Sequence, residues 1–206
     1  MTISDFLLMN VGGDGIGIPQ GVTTAADPQL QFFENFPGKD VMNTILYSNS
    51  ILSVHAVNIP LSLSFNYPVF LLFEQGGNAT RSASVSISFG LYSLNGATLS
   101  LANSASGGTT WEGVQTSTFW MSLATSTTQN ITPGAWYFAV NASATGPSIL
   151  FRFYGNSSIN PENAAPVLVR GRMTVSTGAM PGSIATNELD ITGSDAIRQP
   201  YIIITA

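Results

Sequence analysis

The strongest constraint on the fold is the alternation of apolar and polar residues on both sides of an Asn-Gly pair in residues 86–105, SISFGLYSLNGATLSLANSA. A period of two places successive side chains on opposite faces of a half-buried strand. The residues predicted to be buried on the first strand are Val85, Ile87, Phe89 and Leu91. Asn95-Gly96 is predicted to supply the two positive-φ positions of a type I′ turn, and Leu99 and Leu101 continue a buried face on the return. The segment is therefore predicted to be a β-hairpin that serves as scaffold.

The same period recurs along the chain, whereas helical periodicity is nearly absent. Clusters of Gly, Pro, Asn and Ser separate the alternating runs, as turns between short strands do. Further strands are predicted at residues 52–57, 59–66, 66–73, 118–124, 136–140, 148–154, 166–175 and 201–205. Short helical turns are expected only at 29–35 and 161–165. The predicted fold is all-β, an antiparallel, jelly-roll-like β-sandwich with an extended N-terminal arm.

The first forty residues differ in composition from the rest. They contain a glycine-rich run at 12–17 and three aromatics, Phe32, Phe33 and Phe36, near a Pro-Gly pair. We predict that residues 1–40 form an arm or a set of loops anchored by these aromatics, and that residues 41–206 form the β-domain. The glycine-rich run lacks the Lys and Ser/Thr spacing of a phosphate-binding loop, so no nucleotide cofactor is expected.

Charge is scarce, and this limits the classes of partner. Charged residues make up 8% of the chain, the net charge is −5 and only six residues are basic. This composition disfavours nucleic acid, because a basic patch is needed to bind phosphates. The chain has no cysteine, no stretch long enough for a membrane helix and no signal-peptide pattern at its start. We expect a soluble protein whose hydroxyl-rich exterior is largely covered by partners.

Two sets of residues are candidates for chemistry. His55, the only histidine, is either a general base or a hydrogen-bonded residue on a strand, on the face opposite Val54 and Ala56. Glu188 and Asp190 lie two apart and would share a face of a strand, which suits a glycosidase pair, a calcium site or a solvated polar edge. We favour the structural interpretation of both sets, and so expect no catalytic residue, no metal site and no enzyme activity.

Trp111 is the candidate for ligand contact. It follows a run of Ser, Gly and Thr at 106–110, which is typical of a loop, so we expect it to be exposed. An exposed tryptophan stacks well on a sugar ring, and capping of the sandwich is an equally good interpretation. Four Asn-x-Ser/Thr sequons, at Asn78, Asn130, Asn141 and Asn156, match chance expectation for this composition.

Residues 88–101 and 131–138 together resemble a β-sandwich domain of surface proteins in tailed bacteriophages, including tail and fibre proteins. The resemblance implies a non-enzymatic virion protein, made in the host cytoplasm and located on the virion surface, that associates with itself, by analogy as a homotrimer, and with other virion proteins. The chain lacks the shaft of known fibres, which favours a subunit that decorates or cements the capsid, neck or tail. The alternative is a carbohydrate-binding or receptor-binding module of a tail fibre that contacts host glycans.

The apolar segment 201–205 is expected to be a paired strand or an interface.

Overall fold

The structure is a computed structural model. It describes residues 32–34, 43–46, 50–59, 62–65, 67–75, 82–112, 118–123, 125, 127–145, 150–156, 171–176, 180–190 and 199–205. Within these residues every strand pairing is antiparallel, and the only helical element is a single 3₁₀ turn at Thr186–Glu188. The prediction of an all-β, antiparallel fold is therefore confirmed.

The described residues form fifteen strands. They are β1 (Phe32–Glu34), β2 (Asn43–Leu46), β3 (Ile51–Ile59), β4 (Leu63–Phe65), β5 (Tyr67–Gln75), β6 (Ser82–Asn95), β7 (Thr98–Glu112), β8 (Thr118–Ser122), β9 (Gln129–Ile131), β10 (Gly134–Thr145), β11 (Leu150–Asn156), β12 (Gly171–Thr174), β13 (Ser183–Ala185), β14 (Gln199–Pro200) and β15 (Ile202–Thr205).

The strands make two large sheets and one small one. The first sheet has the order β1-β15-β5-β11-β14, with β2 added on β11 and β8 added on β5. The second has the order β12-β3-β10-β6-β7-β13, and β4 pairs with β9 separately. In the second sheet a tight turn joins β6 to β7. All other neighbouring strands come from distant parts of the chain. This second sheet curls into a half-barrel.

The hairpin of β6 and β7 confirms the predicted buried face but corrects its turn. Val85, Ile87, Phe89 and Leu91 are at most 1% exposed. Asn95 pairs with Thr98, so the two loop residues are Gly96 and Ala97 rather than Asn95 and Gly96. Gly96 has a φ of 62°, whereas neither Asn95 nor Ala97 has a positive φ. This is the pattern of a type II′ turn, with glycine at its first central position. The type I′ prediction was wrong because pairing continues one residue further than expected.

A β-bulge in β7 changes the face of the sheet on which the side chains of Leu99 and Leu101 lie. Leu91 pairs with Asn103 and Tyr92 pairs with Leu101, so Ala102 is the extra residue of β7. An extra residue reverses the alternation beyond it. Leu99 is fully buried and Leu101 partly buried, as expected, but both pack on the opposite side of the sheet from Phe89.

Both faces of the second sheet are covered by apolar side chains. The first core contains Val57, Ile59, Val85, Ile87, Phe89, Leu91, Ala105, Met121, Leu123, Ile131, Phe138, Val140, Ala142, Ile202 and Ile204. It joins the two large sheets, because β8 and β15 of the first sheet contribute to it. The second core lies inside the half-barrel and contains Leu52, Val54, Tyr92, Leu99, Tyr137, Ala139, Ile184 and Leu189. A central strand such as β10 is therefore buried on both sides.

The structure confirms some of the other predicted elements and corrects others. The C-terminal segment is a paired strand, as expected: Ile202, Ile203 and Ile204 are at most 1% exposed, and β15 lies between β1 and β5. The strand predicted at 59–66 is divided, since β3 ends at Ile59 and β4 begins at Leu63. The helical turn expected at 29–35 is wrong for 32–34, which form β1. The turn expected at 161–165 lies outside the described residues.

Candidate functional site

The edge of the half-barrel is closed by contacts between β12 and residues 186–190, which we call the seam. Arg172 and Asp190 exchange backbone hydrogen bonds, with N to O distances of 3.1 and 2.8 Å. Their side chains also form an ion pair, with Nε of Arg172 3.4 Å from Oδ2 of Asp190. Both side chains are partly exposed, so water screens the ion pair and it contributes little stability. The backbone pairing is what extends the sheet across this edge.

His55 and Ser53 lie beside the seam. The register places Ser53 between Arg172 of β12 and Val140 of β10. His55 is 5% exposed and pairs with Phe138, whereas Val54 and Ala56 pack in the second core, as the alternation predicts. A hydrolase of the Ser-His-Asp kind needs a carboxylate that orients the histidine. Asp190 pairs with Arg172, which lies opposite Ser53 in the register, and we interpret this row as part of the fold.

The proposed acidic pair does not share a strand. Glu188 ends the 3₁₀ turn, and Asp190 forms the isolated bridge with Arg172. The expectation that both carboxylates lie on one strand face was therefore wrong, because the chain turns at 186–188 rather than extending. Across the described residues, no three His, Asp or Glu side chains approach each other as a metal site requires. Asp195, the next acidic residue after the pair in the sequence, lies outside those residues.

The candidates for ligand contact and for assembly are located only through their backbones. Trp111 lies within β7 and pairs with Ala83, so the loop expected there is wrong. Its side chain lies outside what the structure describes, and its role as a glycan contact stays a hypothesis. Phe32 and Phe33 lie on β1 and pair with Thr205 and Ile204 of β15. Their side chains, Phe36 and the glycine-rich run at 12–17 lie outside the described part of the chain.

Beyond the second core, on the same side of the sheet, small uncharged residues cover part of three adjacent strands, and we call this surface the serine face. It consists of Ser84, Ser86 and Ser88 on β6, Ser104, Ser106 and Gly108 on β7, and Asn141 and Ser143 on β10. Ser88 pairs with both Asn141 and Ser106, and Ser86 pairs with both Ser143 and Gly108. Directly opposed residues share a face. The alternating serines of β6 indicate part of this surface from the sequence alone. The residues that β10 contributes can be identified only from its long-range pairing with β6.

The serine face is open to solvent over part of its area. Ser86, Ser104, Ser106 and Gly108 are exposed, whereas Ser88 and Asn141 are buried at 3% and 1% exposure. None of its eight residues is ionisable. The burial of Asn141 also removes one sequon from consideration, since a buried amide cannot accept an oligosaccharide.

Tyr92 secures the segment that leads into β13. Its hydroxyl donates to the carbonyl oxygen of Pro181 at 2.7 Å and lies 3.9 Å from the sulfur of Met180. The ring is fully buried in the second core. Burial raises the pKa of Tyr92, and to a lesser extent the pKa of Tyr137, because an ionised phenolate would lose its hydration. Tyr92 therefore links the hairpin to residues 180–182.

We expect Tyr92→Phe to lower the free energy of unfolding by about 1–2 kcal/mol at neutral pH, because the Pro181 carbonyl loses its donor. The raised pKa also predicts a pH dependence. Stability from the protonated Tyr92 is complete below the unfolded tyrosine pKa of about 10 and falls as the pH rises above it. Urea unfolding at a series of alkaline pH values measures both effects. A variant with unchanged stability and an unchanged alkaline slope would contradict the assignment.

Gly171 is expected to tolerate no side chain. A Cβ at this position of β12 would lie 2.8 Å from Cβ of Leu189 and 3.0 Å from the carbonyl oxygen of Asp190, so the seam would have to open. Gly171→Ala is therefore expected to cost about 1–3 kcal/mol of unfolding free energy. Gly182→Ala is the matched control, since nothing lies within 4 Å of its added Cβ. Chemical denaturation of both variants tests this, and equal stabilities would overturn it.

No protein-family model matches the chain, and no curated protein matches its sequence. No helix in the described ranges has the length and apolar character needed to cross a membrane.

Proposed function

We propose that the protein is a non-enzymatic structural subunit of a phage virion, which decorates or cements the surface of the capsid, the neck or the tail. In this proposal the two large sheets form a jelly-roll-like sandwich, and residues 1–40 act as an assembly arm through Phe32, Phe33 and Phe36. The subunit is made in the host cytoplasm and associates with itself, by analogy as a homotrimer, and with other virion proteins.

The serine face is the observation that carries this proposal. Charged residues are depleted in the cores of protein interfaces, because each buried charge must be desolvated. Serine is depleted there as well, so the support comes from the absence of ionisable groups on this face and not from its serine content. A face with exposed Ser86, Ser104 and Ser106 and no ionisable group avoids that desolvation cost. Short side chains also lose little conformational entropy when a partner covers them. Such a face suits permanent contact with a neighbouring subunit better than exposure to solvent.

The first sheet offers a second support. β1 pairs with β15, the last strand of the described chain, so the part of the proposed arm that contains Phe32 and Phe33 is attached to the body by backbone hydrogen bonds. A strand paired in this way gives the preceding residues a fixed starting point from which to reach a neighbour. Among the described strands, β1 lies at the edge of its sheet. Edge strands present unpaired backbone groups that another chain can use.

Light scattering during size exclusion and binding to phage particles that lack the protein test the proposal. We expect an oligomer in solution or saturable binding to such particles. Replacing Ser86 and Ser106 by lysine places two charges on the serine face and is expected to abolish that association. The matched control is a double replacement by lysine at Thr132 and Asn187, which are exposed elsewhere. A monomer without affinity for particles, or equal effects of both double variants, would overturn the proposal.

A further inference from the structure

The tip of the β6–β7 hairpin contains the only Asn-Gly sequence in the chain, at Asn95-Gly96. Both residues are exposed, as are Leu94 before them and Ala97 after them. Gly96 has open space around the position of a Cβ. Solvent and hydroxide therefore reach the Asn95 side chain and the following amide from several directions.

We propose that Asn95 is a site of spontaneous deamidation that converts it to aspartate and isoaspartate. In the first step the backbone nitrogen of Gly96 loses its proton to hydroxide and attacks Cγ of Asn95. The bond from Cγ to Nδ2 breaks, and Nδ2 leaves with a proton as ammonia. The product is a five-membered succinimide. In the second step water adds to one ring carbonyl and the ring opens, so no oxidant or reductant is needed.

The geometry of the turn leaves the attacking nitrogen free of the strand ladder. Asn95 and Thr98 form the pair that closes the two-residue loop. In a hairpin of this kind the closing pair exchanges its hydrogen bonds internally, so the Gly96 N–H lies outside the ladder. Glycine has no Cβ to hinder the approach of its nitrogen to Cγ.

Asn103-Ser104 provides an internal comparison on the same hairpin. Asn103 is 9% exposed, and its Nδ2 donates to the carbonyl oxygen of Thr127 at 3.2 Å. Its Oδ1 accepts a hydrogen bond from the Ser104 N–H at 2.8 Å. The leaving amide is therefore held in place and shielded from water. Asn103 reacts only after local opening, which slows it by roughly tenfold or more relative to an exposed site.

Ring opening can also lengthen the backbone. If the bond from the Gly96 nitrogen to the main-chain carbonyl carbon of Asn95 breaks, the peptide link runs through Cγ and the loop gains one methylene. The Ala97 carbonyl next to it accepts a hydrogen bond from the Thr186 N–H at 2.9 Å. Isoaspartate is thus expected to loosen the contact between the hairpin tip and the turn that leads into the seam.

Peptide mapping by mass spectrometry after incubation of the folded protein at mildly alkaline pH tests the proposal. We expect a gain of about 1 Da at Asn95, incorporation of heavy oxygen from labelled water, and methylation by an isoaspartate-specific methyltransferase. Modification at Asn95 is expected to exceed that at Asn103 by roughly tenfold or more. Asn95→Gln is expected to remove the signal while keeping the wild-type circular dichroism. An unmodified Asn95, equal rates at Asn95 and Asn103, or a signal that persists in Asn95→Gln would overturn the proposal.

Discussion

Phe138→Ala is expected to lower the free energy of unfolding by about 3–5 kcal/mol. Phe138 is fully buried, and its ring meets that of Phe89 edge to face, with centroids 5.3 Å apart and planes at 67°. It lies on β10, which pairs with β3 on one side and β6 on the other, so the backbone cannot collapse into the cavity. The free energy of unfolding of a domain is commonly only about 5–15 kcal/mol, so this substitution removes a large part of it.

Urea denaturation followed by tryptophan fluorescence measures this effect. The control is Leu94→Ala, which shortens an apolar side chain that is 36% exposed at the hairpin tip. We expect this variant to remain within about 0.5 kcal/mol of wild type. A loss below about 1 kcal/mol for Phe138→Ala would contradict the position of its ring in the first core.

Local pattern is enough to predict the hairpin of β6 and β7. The spacing of Val85, Ile87, Phe89 and Leu91 identifies the buried side because one strand, taken alone, has only two faces. The same argument places Trp136 and Phe138 on one side of β10 and Tyr137 on the other, which the two cores confirm. The sequence predicts the wrong turn type because the type depends on where pairing stops, and asparagine at position 95 is compatible with either register.

Long-range pairing decides the rest of the fold and is not encoded in local alternation. The second sheet places β12 and β13 at opposite ends, and the bridge from Arg172 to Asp190 joins β12 to the segment that follows β13. Nothing in the spacing of Arg172 and Asp190 along the chain indicates that they are partners. The bulge at Ala102 likewise reverses the face of Leu99 and Leu101, which a strict period of two cannot represent.

The candidate sites also divide into those that local pattern predicts and those that depend on long-range contacts. The apolar neighbours of His55 alone predict correctly that it lies on the face opposite Val54 and Ala56. The spacing of Glu188 and Asp190 predicts that they share a strand, but the 3₁₀ turn that ends at Glu188 depends on contacts such as the hydrogen bond from the Thr186 N–H to the Ala97 carbonyl. The serine face required the register of β10 against β6, which only the fold supplies.

Ile204→Asp is expected to prevent accumulation of folded protein. Ile204 is 1% exposed in the first core, and it lies on β15 between β1 and β5. A carboxylate there would lose its hydration among the apolar residues of the first core, which costs several kcal/mol or forces the group to take up a proton. Either outcome replaces an apolar contact that joins the two large sheets.

Ile204→Val is the matched variant, because it keeps the shape and polarity of the site and is expected to cost only about 0.5–1.5 kcal/mol. Yield of soluble protein and circular dichroism compare the two variants, and chemical denaturation gives the stability of Ile204→Val. If β15 were an exposed strand, the aspartate would be solvated and both variants would behave as wild type. A soluble Ile204→Asp protein of wild-type stability would therefore place the C-terminal strand outside the core, and the two large sheets would then need another contact to hold them together.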